Sequence, residues 1–99
     1  MKDQYQYQVY LRILEKLIGE DIPSQSRVRR YVYARGMVMY QMREEAYTFT
    51  EIADQCGKTH ASVIHMIKTW KYILSHPGQF PGEVTMWNNF QKRIENGIQ

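Results

Sequence analysis

A helix stop held between two helix starts, all within residues 48–59, constrains this chain more than any other feature. Thr48-Phe49-Thr50-Glu51 has the form of a capping box, in which the Thr hydroxyl and the Glu carboxylate satisfy each other's free backbone N–H groups. Gly57 follows after a short periodic stretch, and a glycine there ends a helix because it adopts positive φ without steric cost. Thr59 is then placed to cap the next helix. The spacing predicts one helix over about 49–56 and another over about 60–75, joined by a very short turn. Ala53, four residues before Gly57, is the small residue that a close crossing needs, and Ile52, Cys56, Val63 and Met66 fall where two such helices bury apolar side chains. This is the pattern of a helix-turn-helix. A plain helical hairpin shares parts of it, and the spacing alone does not separate the two.

The flanking segments are helical as well. Tyr7, Tyr10, Leu14, Leu17 and Ile18 recur at helical spacing within 4–19, and Gly19 with Glu20-Asp21-Ile22-Pro23-Ser24 breaks that run. Ser24 or Ser26 is expected to cap a long helix reaching about Glu45 through Val28, Tyr31, Val32, Val38, Met39 and Met42. Its second half is apolar on most sides, which predicts a central position. His76-Pro77-Gly78-Gln79-Phe80-Pro81-Gly82 reads as a loop, and Val84, Trp87, Phe90 and Ile94 give a last helix over about 83–96. No repeat and no strand pattern is present. The expectation is all-α: one five-helix domain over 1–99, with an N-terminal helix and connector (1–23), a core (24–75), and a loop with a final helix (76–99).

Charge is unevenly distributed. The net charge of +3 is modest, but Arg27, Arg29, Arg30, Arg35 and Arg43 lie in a stretch, 23–43, that has no Asp or Glu. Residues 1–22 are slightly acidic, with Asp3, Glu15, Glu20 and Asp21 against Lys2, Arg12 and Lys16. A basic block of this kind suits phosphate binding, and it equally suits a solvated helix face balanced by Glu44 and Glu45. Apolar runs are too short to span a membrane, and the first residues lack the apolar centre of a secretory signal. A lone Cys56 makes no internal disulfide, in keeping with a cytoplasmic protein.

Within a helix-turn-helix, residues 59–68 would form the recognition helix, whose N-terminal residues face base edges in the major groove. The positions expected to be exposed are Lys58, Thr59, His60, Ala61, Ser62 and His65. Lysine reaches phosphate or guanine, hydroxyls donate or accept, and an imidazole ring or a methyl group contacts thymine methyls. The helix N-terminus adds free N–H groups suited to phosphate. His65 also reads as a partly buried packing residue.

Taken together, residues 26–70 resemble the C-terminal DNA-binding domain of the bacterial replication initiator DnaA. The family's long helix carries Ala-Arg, Met-Tyr and Arg-Glu pairs, matched by Ala34-Arg35, Met39-Tyr40 and Arg43-Glu44. Its Glu-Ile-Gly run is matched by Glu51-Ile52-Ala53. Its signature, Gly-Arg-Asp-His-Thr-Thr-Val-Ile-His, is matched by Gly57-Lys58-Thr59-His60-Ala61-Ser62-Val63-Ile64-His65. The resemblance implies a helix-turn-helix of the Trp-repressor and DnaA C-terminal kind. It also implies major-groove contacts from Lys58, Thr59, His60, Ala61 and Ser62, a minor-groove or backbone role for Arg35, and phosphate contacts from Arg27, Arg29 and Arg30. The departures bear on specificity. The turn has one glycine where the family has two. Thr59 replaces a carboxylate that can accept from a cytosine amino group, and Ala61 keeps a methyl while losing a hydroxyl. A target other than the family's usual origin box is therefore expected.

Other chemistries find little support. Gly57-Lys58-Thr59 matches the tail of a phosphate-binding loop, but Ile52 stands where its first glycine belongs, so neither ATPase activity nor nucleotide binding is expected. His60 and His65 fall on different helix faces, and Ser62 lacks the partners of a nucleophile, so no metal, cofactor or catalytic residue is assigned. Tyr5, Tyr7 and Tyr10 are expected to form an exposed aromatic edge for a partner protein. Two functions follow: a duplex-DNA-binding regulator of replication or transcription, associated with the nucleoid of a bacterial or phage-infected cell, or an adaptor or inhibitor of a replication protein with the same fold. Binding of one short site by so small a monomer is weak, which leaves a homodimer or a replication or transcription protein as partner through 4–19 or 83–96.

Overall fold

Five helices run through the described residues, 2–96, of the computed structural model: α1 (Gln6–Ile18), α2 (Arg29–Glu44), α3 (Phe49–Cys56), α4 (His60–Ser75) and α5 (Pro81–Glu95). No strand forms among the described residues. The expected all-α class and the boundaries of α3 and α4 agree with this. Of the expected single domain 1–99, residues 1 and 97–99 lie outside the described ones.

Local chemistry sets four of the helix ends. Thr48 Oγ1 accepts from the Glu51 N–H at 3.1 Å while the Glu51 carboxylate accepts from the Thr48 N–H at 2.8 Å, so the capping box is complete. Gly57 adopts φ 67° and closes α3, its N–H donating to the Ala53 carbonyl at 2.9 Å. The Thr59 hydroxyl caps α4 by accepting from the Ser62 N–H. Gly19, at φ 75°, ends α1 in the same left-handed conformation.

The start of α2 departs from expectation, and its end, close to the expected Glu45, closes without a glycine. Neither Ser24 nor Ser26 caps α2, which begins five residues beyond Ser24 with Val28 in the cap position and no side-chain cap bond. Residues 24–28 instead form a connector whose carbonyls are held by side chains from elsewhere, as described below. At the other end α2 closes with the Tyr47 N–H on the Met42 carbonyl and the Ala46 N–H on the Arg43 carbonyl, a Schellman pairing. That pairing needs a left-handed residue, and here it is Ala46 at φ 70°, not a glycine. A Cβ in this region costs roughly 1–2 kcal/mol. Ala46→Gly is therefore expected to raise stability by about 1 kcal/mol once the extra freedom of glycine in the unfolded chain is subtracted. Urea unfolding followed by circular dichroism would measure this, and a loss of stability would contradict it.

The core is organised around α2, which packs most extensively on α4 and also meets α1 and α3. Residues 34–39 are all buried, as the loss of amphipathic pattern in that stretch predicts. Gly36 marks the crossing of α2 and α4. A Cβ built there would stand 3.1 Å from Trp70 Cδ1 and would overlap Met66 Cε, so glycine lets the Met66 and Trp70 turns of α4 approach α2 this closely. Trp70 is fully buried at that point, and its Nε1–H donates to the Tyr33 carbonyl at 2.8 Å.

The outer helices dock through aromatic and polar contacts. Tyr10 of α1 meets Phe90 of α5 edge-on at 5.4 Å, and Tyr40 of α2 meets Trp87 of α5 in the same way. The Tyr10 hydroxyl donates to Glu45, the Gln41 amide donates to the same carboxylate, and Gln91 donates to Gln41 Oε1. Burial, together with the Glu45 carboxylate beside it, pushes the Tyr10 phenol well above its ordinary range. Tyr7 and Tyr10 are thus core residues, and the expected exposed aromatic edge does not form. Only Tyr5 of that set is exposed. The reason is periodic: Tyr7, Tyr10, Leu11 and Leu14 share one stripe of α1.

Candidate nucleic-acid interface

The helix-turn-helix is built as its spacing predicts. Ile52 and Val63 are fully buried and Ala53 nearly so, while Cys56 and Met66 pack half-buried against the same core. On the opposite side of α4's first turns, Thr59, His60, Ala61, Ser62 and His65 are all exposed, and Lys58 is half-buried. The packing role considered for His65 is not the one it takes. A cleft of about 200 Å³ between α2 and α4 borders this surface, with Val32, Met39 and Met66 as its apolar part and Lys58, Ser62 and His65 among the residues lining it.

The polar groups on that surface are already partly committed. The Thr59 hydroxyl accepts from the Ser62 N–H and lies 3.0 Å from Ser62 Oγ, to which it donates. Thr59 is therefore occupied as a cap, whereas Ser62 keeps its own hydroxyl proton for another acceptor. His60 Nε2 lies 2.8 Å from Thr50 Oγ1 on α3. Lys58 Nζ donates to the Ser24 carbonyl at 3.0 Å, which brings the connector before α2 against the start of α4.

The arginines separate into three environments. Arg27 and Arg29 are exposed, and among the described residues neither makes an ion pair. Arg30 is exposed too, but it pairs with Glu20 at 3.2 Å, and the Tyr31 hydroxyl donates to the same carboxylate. That hydroxyl first and the guanidinium second hold the Glu20 carboxyl below its usual range. The basic block is thus less free of acid than its sequence, because Glu20 folds back onto it from ten residues away.

Arg35 is in a different environment. Only 7% of it is exposed, and its two terminal nitrogens donate to the Pro23 carbonyl at 2.6 Å and the Ser26 carbonyl at 2.7 Å. The guanidinium is thus engaged with two backbone carbonyls of the connector. It fixes the connector, and the connector in turn presents Arg27 and Arg29.

A family model described as the bacterial dnaA protein helix-turn-helix matches residues 16–69. The chain belongs to this family. Comparison with curated proteins and with solved structures finds no match. The DnaA helix-turn-helix is a DNA-binding module, and the matched residues take in the end of α1, all of α2 and α3, and α4 as far as Thr69. Much of the core lies beyond them: Tyr10, Leu14, Trp70, Ile73 and Phe90 are buried and fall outside the match. Among the described residues no group of three or more His, Cys, Asp or Glu is placed to hold a metal, and no helix is long and apolar enough to cross a membrane.

Sequence reasoning missed three participants in this surface. Glu20, the Ser24 carbonyl and Thr50 each meet a site residue across a loop or between helices. No local spacing rule connects residues ten or more apart through a turn, so no signal for them was available in the sequence.

Proposed function

We propose that this chain binds double-stranded DNA with the N-terminal half of α4 in the major groove, and regulates replication or transcription there without catalytic activity of its own. One observation carries the reading: in a DnaA-family helix-turn-helix, the first turns of α4 bury Val63 and hold Thr59, His60, Ala61, Ser62 and His65 out to solvent. Such a surface serves no packing purpose and has the residue types that read base edges. Arg27, Arg29, Arg30 and Lys58 supply phosphate contacts beside it. For Arg30 and Lys58 the phosphate replaces Glu20 and the Ser24 carbonyl as partner.

The test is affinity for duplex DNA measured against salt. Four cations on phosphate give a log–log slope of about −3 to −4, from about −0.9 per contact. Arg29→Ala is expected to weaken binding to every sequence alike and to lower that slope by about 0.9. His60→Ala or Ser62→Ala is expected to cost on the order of 1–3 kcal/mol on the preferred site and little elsewhere. Absence of binding to mixed duplexes at low salt would refute the reading and favour a protein-binding adaptor. The preferred site itself comes from selection out of a random duplex pool, which also reports whether two copies bind together.

A further inference from the structure

Thr50 belongs to the first turn of α3 and not to the reading helix, yet its hydroxyl oxygen lies 2.8 Å from Nε2 of His60. Among the described residues this is the only hydrogen bond of the His60 ring. The neighbouring Phe49 ring meets the imidazole edge-on, with centroids 6.3 Å apart, and is itself covered by the Arg43 guanidinium at 4.5 Å. The exposed imidazole is therefore held at one nitrogen and along one edge.

The Thr50 hydroxyl differs from the other helical hydroxyls in its partner. Further along the helices, Thr69, Ser75 and Thr85 each donate to the carbonyl four residues back. Thr50 sits too near the start of α3 for that. The carbonyl four residues before it belongs to Ala46, a left-handed residue outside the helix, and that carbonyl accepts from Lys2 Nζ. Thr50 therefore makes no such backbone bond, and its hydroxyl faces His60 Nε2 instead. A neutral imidazole that accepts at one nitrogen carries its own proton on the other.

We infer that Thr50 is a positioning residue for DNA reading. By donating to Nε2 it sets His60 in the Nδ1-protonated form, so the ring offers the major groove a hydrogen-bond donor suited to acceptors such as a purine N7 or a thymine O4. The inference rests on the DNA-binding reading above and adds which base edges His60 addresses and which residue decides it.

Long-range proton–nitrogen NMR correlations of the free protein, recorded well above the usual histidine range, report which ring nitrogen holds the proton. The wild type is expected to show Nδ1–H at His60. Thr50→Val, which keeps the shape and removes the donor, is expected to shift the ring towards Nε2–H, and Thr50→Ser to restore the original signature. On the duplex selected by the wild type, Thr50→Val is expected to lose about fivefold in affinity, the worth of one hydrogen bond. On non-specific duplex it should lose nothing, and in a His60→Ala background the effect should vanish. An unchanged tautomer in Thr50→Val, or a loss equal on all duplexes, overturns the inference even where the wild type binds DNA. Failure of the wild type to bind any duplex at low salt overturns the DNA-binding reading itself and the assignment of base edges that depends on it.

Discussion

Trp70→Ala is expected to lower the free energy of unfolding by about 3–5 kcal/mol, the range for removing a large buried aromatic side chain. The indole is fully buried at the closest approach of α2 and α4, with Gly36 directly beneath it. Its removal leaves a cavity between two helices that cannot collapse onto each other without moving the rest of α2. It also takes away the 2.8 Å bond to the Tyr33 carbonyl and the contact with the Trp87 ring, whose centroid is 6.3 Å away. A domain of this size is typically stable by about 5–15 kcal/mol, so the loss is a large share of the total. Urea titration followed by far-UV circular dichroism and by the fluorescence of the remaining Trp87 would measure it. A change below about 1 kcal/mol would mean that the α2–α4 crossing does not hold the fold together as its packing indicates.

Arg35→Ala is expected to destabilise the domain by about 2–3 kcal/mol, since a charge-assisted hydrogen bond contributes about 1.5–3 kcal/mol and the two carbonyls it leaves lie near enough to solvent to be partly rehydrated. Arg35→Lys is expected to recover little of that loss. A single ammonium cannot span the Pro23 and Ser26 carbonyls as the two arms of a guanidinium do. The consequence for DNA is indirect. Once the connector is released, Arg27 and Arg29 are no longer held in place, so affinity should fall at a salt slope reduced by more than one contact. A direct phosphate contact by Arg35 would behave differently: the alanine variant would keep wild-type stability and lose only about 0.9 from the slope. Thermal unfolding and binding measured on the same preparation separate the two cases.

The parts that were legible in the sequence are those set by neighbours along the chain. Thr48 with Glu51, Gly57 and Thr59 act within one helical turn, so α3 and α4 could be bounded to the residue. The start of α2 could not. Ser24 and Ser26 are good capping residues by type, but the backbone around them is held by Arg35 and Lys58, which lie 9 to 34 residues away. The Schellman turn at Ala46 was hidden for a related reason: its signal is normally glycine, and here tertiary packing, with Tyr47 buried behind it, holds an alanine in the left-handed region.

By itself, the sequence determined that the chain is all-helical, that a helix-turn-helix centres on Gly57, and that Thr59 to Ser62 and His65 lie on the exposed side of its second helix. These follow from periodicity, capping and turn chemistry, which are local interactions, and from the ordered match of residues to the DnaA pattern. Only the tertiary structure decided what each cation and hydroxyl is free to do. It buried Arg35 against the connector, set Glu20 against Arg30 and placed Thr50 behind His60. Those outcomes depend on which groups meet across loops and between helices, which no spacing along the chain specifies.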